Sequence, residues 1–146
     1  MKPPDVDGGL AAIRTASLAA HEALTRHPWA AALLTAPGRI RPARLEFMDA
    51  LLGELRNAGF SAETTYHAYH VLDAHIVGFS LWQAAHGSVP PEIDDVRAFV
   101  DRMVPVATYP HLHEHAVQHL EDGPHQDVPA FEYGLDLLLE SLERLR

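Results

Sequence analysis

Residues 62–86 read AETTYHAYHVLDAHIVGFSLWQAAH, a stretch without proline whose apolar side chains recur at helical intervals, so the spacing predicts one long helix. Two apolar stripes run along it. Ala68, Leu72, His75, Phe79 and Trp82 make the first. Val71, Ala74, Gly78, Leu81 and Ala85 make the second at heptad spacing, with small residues that admit another backbone. A helix that is apolar on two sides is buried on two sides. In a chain of 146 residues, that suggests a core on one side and a subunit interface on the other.

Working outward, Ser61 is placed to cap this helix, and Gly59 ends the one before it, with Phe60 folding back in a Schellman arrangement. That preceding helix opens at Pro42, carries Leu45, Met48, Leu52 and Leu55, and closes at Arg56, a cation suited to the helix dipole. Further upstream, Leu10, Ile13, Ser17, Leu18, His21 and Leu24 form a stripe up to Arg26. Pro28 opens a short helix through Trp29, Ala32 and Leu33, and Ala36-Pro37-Gly38 is a turn. Residues 1–9 are expected to be a mobile lead, because Pro3, Pro4, Gly8 and Gly9 resist regular structure, and 10–146 to be the domain proper.

Downstream, the run Gly87-Ser88-Val89-Pro90-Pro91 ends the long helix. A helix over 92–103 is expected to point Ile93, Val96, Phe99, Val100 and Met103 inward, and after a proline-interrupted bend a short one runs over 110–120. Residues 121–128 read as loop. Pro129 starts the last helix, where Phe131, Leu135, Leu138, Leu142 and Leu145 repeat at heptad spacing beside Gly134, Leu137 and Ser141. This is again more apolar surface than one core needs. With no alternating strand pattern and no internal repeat, the fold class is all-α.

Composition narrows the function classes. The net charge is −9, and the ten arginines and Lys2 are scattered without a run or stripe, which argues against binding a phosphate backbone. No stretch approaches the length of a membrane span, and the N-terminus lacks the pattern of a secretory signal, so a cytoplasmic address is expected. With no cysteine there is no thiol chemistry. Protonating all eleven histidines would carry the net charge from −9 to +2, so surface electrostatics should vary strongly around the imidazole range.

Several short segments recur in a meaningful order: Trp29 after His27-Pro28, the helix end Ala58-Gly59-Phe60, then Tyr109-Pro110-His111-Leu112, and finally Phe131 through Gly134-Leu135-Asp136 to Leu138-Leu139. In that order and separation they resemble the all-helical C-terminal domain of the tetracycline-repressor (TetR) family. The resemblance implies a homodimer built as a four-helix bundle from the long helix and the final helix. Its interface would comprise Val71, Ala74, Gly78, Leu81 and Ala85 with Phe131, Gly134, Leu135, Leu138 and Leu142. It also implies an effector pocket enclosed by the first, third and long helices, with Ser17, His21, Trp29, Met48, Leu52, His75, Phe79 and Trp82 as its matching positions. Such a lining suits a small apolar or aromatic effector held by a few polar groups. In this family a helix-turn-helix of roughly 45 to 50 residues precedes the domain. Only nine residues precede Leu10, so direct operator binding is not expected of this chain. It is expected to be either the effector half of a repressor or a stand-alone sensor that pairs with a full-length subunit.

The rival reading is a histidine-rich metal-binding helical protein. If 110–120 is helical, His111, His115 and His119 fall at i, i+4 and i+8 on one face, a spacing suited to a divalent transition metal. His111, Glu114 and His115 also satisfy H-x-x-E-H, the inverted zinc-hydrolase pattern. The short helix and the missing downstream acid speak against a hydrolase. Gly78-Phe79-Ser80 lacks the second glycine of a serine-hydrolase elbow, and no glycine-rich phosphate loop is present. The chain is therefore not expected to be an enzyme, nor to need a cofactor.

Overall fold

The structure is a computed structural model that describes residues 8–38, 40–86, 96–121 and 129–146. These residues form helices and no strand. In chain order the helices are α1 (Gly8–Arg26), α2 (Pro28–Thr35), α3 (Pro42–Asn57), α4 (Ala62–His86), α5 (Val96–Met103), α6 (Pro110–Glu121) and α7 (Ala130–Glu143). They fall into two compact units: the described residues up to Ala85 with 131–146, and those from His86 to Ala130.

The local signals explain most boundaries. Pro28 and Pro42 each occupy the first turn of their helix, where the missing N–H costs nothing. Gly59 ends α3 in the left-handed region at φ 96°, and the bonds from Gly59 N–H to the Arg56 carbonyl and from Phe60 N–H to the Leu55 carbonyl complete a Schellman motif. Phe60 is thereby buried in the core. Ser61 Oγ then accepts from the Thr64 N–H at 3.1 Å and caps α4.

In the first unit one core cluster joins Leu10 and Ile13 of α1, Leu51 and Leu55 of α3, Leu72 and Ile76 of α4, and Phe131, Leu135 and Leu139 of α7. Each such side chain contributes about 1.5–3 kcal/mol by leaving water. α1 begins at Gly8, two residues ahead of Leu10, and Gly9 is helical although it was expected in the mobile lead. Glycine suits that helical position because of a close approach: a Cβ on Gly9 would lie 2.7 Å from the Ala58 Cβ. The rest of that lead, 1–7, lies outside the described residues.

In the second unit α5 packs on α6 around buried Val100 and His113. His113 Nδ1–H donates to the Val104 carbonyl at 2.8 Å. The expected inward stripe of α5 is shorter than the sequence suggested. Met103 is 65% exposed, because the face turned to α6 centres on Val100. Ile93 and the loop at 122–128 lie outside the described residues.

Candidate functional site

The first unit holds a cavity of about 500 Å³ between α2, the turn after it, α3 and α4. Trp29, Ala30, Leu33 and Leu34 come from α2, Ala36, Gly38, Ile40 and Arg41 from the turn, Arg44 and Met48 from α3, and Tyr69, His70 and Asp73 from α4. The size and the mixture of apolar walls with a few polar groups are those of a small-molecule site.

Its polar groups are unevenly satisfied. Arg44 Nη2 donates to Asp73 Oδ2 and ties α3 to α4. Burial lowers the Arg44 pKa, but the bond to Asp73 and its charge outweigh this and raise it. The other carboxylate oxygen, Asp73 Oδ1, is buried without a hydrogen-bond partner among the described residues, and so is the Tyr69 hydroxyl. Tyr69 is only 6% exposed. Burial, and then the Asp73 charge, push its pKa above the usual phenol value, so it stays protonated as a donor. An unpaired buried polar atom costs on the order of 1–3 kcal/mol. A ligand offering complementary groups would recover that cost.

A second polar cluster lies where α1, α4 and α7 meet. The His21 and Phe131 rings stack with centroids 3.7 Å apart, and His75 stacks on Phe131 at 4.7 Å. Ser80 Oγ gives its only proton to the Ile76 carbonyl, so the 3.2 Å contact with His21 requires that His21 Nδ1 carries hydrogen. His75 Nε2–H donates to the Phe131 carbonyl at 2.9 Å. Burial and the neighbouring His75 lower the His21 pKa. Beside them Arg14 Nε donates to Asp136 Oδ1 at 2.8 Å and Arg14 Nη2 reaches Glu132 at 3.2 Å, joining α1 to α7. These carboxylates raise the Arg14 pKa, the hydrogen bond that Arg14 donates to Asp136 contributing most.

On α6 the His115 and His119 rings stand 6.2 Å apart. Among the described residues no three His, Cys, Asp or Glu side chains are grouped to hold a metal ion. The buried histidine of that stretch is His113, which faces α5 with Nε2 3.4 Å from Asp101 Oδ1.

The domain thus combines a helical core, a partly open cavity beside the long helix and an outward apolar face on that helix. The profile of the family described as tetracyclin repressor-like, C-terminal domain matches residues 4–146. The chain belongs to that family. Comparison with curated proteins and with solved structures returned no match. No helix among the described residues is long and apolar enough to cross a membrane.

In this TetR-like domain the expected pocket residues are divided between two places. Trp29 and Met48 line the cavity. His21, His75 and Phe79 belong instead to the packing around Phe131, with Phe79 edge-on to it at 5.5 Å, and Ser17 is fully buried on α1. Leu52 is half-buried against the core, and Trp82 lies beside Phe79 with half its surface open.

The expected interface divides in the same way. On α4, Val71 is 49% exposed, Ala74, Gly78 and Ala85 are exposed, and Leu81 is half-buried. On α7, however, Phe131, Leu135 and Leu142 are buried inside their own chain, and Leu138 is half-buried, so α7 presents Tyr133 and Leu137 outward instead. Gly134 is small for an internal reason. The His75 ring fills the space, and a Cβ there would sit 2.5 Å from its Cε1.

Sequence reasoning missed Arg41, Arg44, Tyr69 and Asp73. One signal was available. Asp73 is the only Asp, Glu, Lys or Arg from Thr64 to His86, a charge inside an otherwise apolar helix, and such a residue usually has a specific partner.

Proposed function

We propose that this TetR-like domain senses a small effector in the cavity between α2, α3 and α4 and pairs with a second copy through α4 and α7, as the effector-reading part of a transcriptional repressor working in the cytoplasm. The observation that carries the reading is the position of α4. Tyr69 and Asp73 face the cavity, while Val71, Ala74 and Gly78 lie on an exposed face roughly 140° round the helix at 100° per residue. An effector that favours one position of α4 therefore acts on the pairing of two subunits, by its differential affinity for the two arrangements. A small apolar groove of about 190 Å³ between α4 and α7, lined by Ala68, Val71, Leu138 and Leu142 among others, supplies a seat for a partner's side chain.

The test is Gly78→Leu. No described atom lies within 4 Å of a Cβ built at Gly78, so a larger side chain can start outward without a clash and helicity should be kept. Light scattering should report a dimer for the wild type and a monomer for the variant. A monomeric wild-type domain at micromolar concentration would overturn the pairing, and a dimeric variant would overturn the interface.

A further inference from the structure

We infer that the cavity takes an apolar aromatic acid carrying a hydroxyl or N–H donor and discriminates against lipophilic cations. This rests on the reading of the cavity as the effector site. Among the described residues the charged groups lining it are Arg41, Arg44 and Asp73, beside the imidazole of His70. Arg44 and Asp73 neutralise each other through their ion pair. Arg41, exposed at the start of α3, has no side-chain hydrogen bond or ion pair among the described residues. Its guanidinium is a fork of donors matched to a carboxylate. Among the described residues, a cation entering the same space meets two guanidinium groups and one carboxylate, of which Oδ2 is already paired with Arg44.

The hydroxyl requirement comes from Tyr69 and Asp73, neighbours at i and i+4 on α4. Asp73 Oδ1 is buried, unpartnered and able only to accept, so its complement on the ligand is an O–H or N–H. The Tyr69 hydroxyl, also buried and unpartnered, donates to the same ligand group. Trp29, Leu33, Leu34, Ile40 and Met48 supply the apolar walls, and Trp29 offers a face for an aromatic ring.

Trp29 also provides the readout, because the chain has two tryptophans and Trp82→Phe leaves Trp29 as sole reporter. Four probes on one frame separate the contributions: a hydroxynaphthoic acid, the naphthoic acid without the hydroxyl, the naphthol without the carboxylate, and a hydroxynaphthyl trimethylammonium. Calorimetry on the wild-type protein repeats each titration without the tryptophan change. The hydroxy acid should bind about tenfold tighter than either single-group compound and about a hundredfold tighter than the cation. Arg41→Gln should remove the advantage of acid over naphthol, and Tyr69→Phe most of the advantage given by the hydroxyl. If the cation binds as well as the acid, the ligand class is overturned while the cavity stands as a site. If no probe changes Trp29 emission or gives heat, the effector-site reading falls and the ligand class falls with it.

Discussion

At the junction of α1, α4 and α7, Arg14, His21 and His75 each reach a partner inside the chain, whereas Tyr69 and Asp73, six and two residues before His75 on α4, carry buried oxygen atoms with none among the described residues. Both regions place polar groups among apolar ones, and both span several helices. The junction uses its bonds to hold α7 against α1 and α4, although the buried Ser17 hydroxyl of α1 also lacks a partner among the described residues. The cavity withholds them, so part of the stability available to that region is left for a ligand to supply. A polar group of the first kind should therefore be costly to remove. One of the second kind should be cheap or even favourable to remove.

The largest effect is expected at Arg14. Replacing it with Ala leaves Asp136, buried within α7, without its counter-charge, and should lower unfolding stability by about 3 kcal/mol, the low end for a broken buried pair. A loss under about 1 kcal/mol in urea titration would place the junction among ordinary surface pairs. Gly134→Ala comes next, at about 2 kcal/mol, because the new Cβ meets the His75 ring. Gly53→Ala is its control. Nothing lies within 4 Å of a Cβ there, so the same change in the middle of α3 should stabilise by up to about 1 kcal/mol.

His21 sets the pH behaviour of the junction. Its folded pKa lies below the unfolded value near 6.5, so the unfolded chain binds the proton first as pH falls. The contribution of neutral His21 is present above that unfolded value and is lost as pH falls through it toward the folded value. Urea midpoints measured between pH 7.5 and 5 should decline toward acid, and His21→Phe should flatten the decline. An unchanged slope in that variant would assign the acid sensitivity elsewhere. The smallest effect belongs to the cavity. Tyr69→Phe removes a hydroxyl that bonds to nothing among the described residues, and without ligand should leave stability unchanged or raise it by up to about 1 kcal/mol. A loss above that would mean the hydroxyl is satisfied internally and the contrast between the regions fails.

Helix positions were readable because their signals are local. Pro28, Pro42, Gly59 and Ser61 act on their own turn, and α4 runs over 62–86 as its periodicity required. The face that an apolar residue covers was not readable in the same way. Phe131, Leu135 and Leu142 repeat as an interface stripe would, yet they fill their own core, because periodicity gives the direction of a side chain and not the chain that meets it. Gly134 makes the same point, since a small residue marks a close approach without naming what approaches.

The sequence by itself determined the all-helical class, most of the helix boundaries and the family, each carried by neighbours in the chain or by the order of short segments along it. Only the tertiary structure decided where ligand chemistry collects. Arg44 and Asp73 are separated by 29 positions, and the Tyr69 hydroxyl is left unpaired only once α2 and α3 have closed over α4. Burial and the absence of a partner are properties of the packed chain, and no local pattern encodes them.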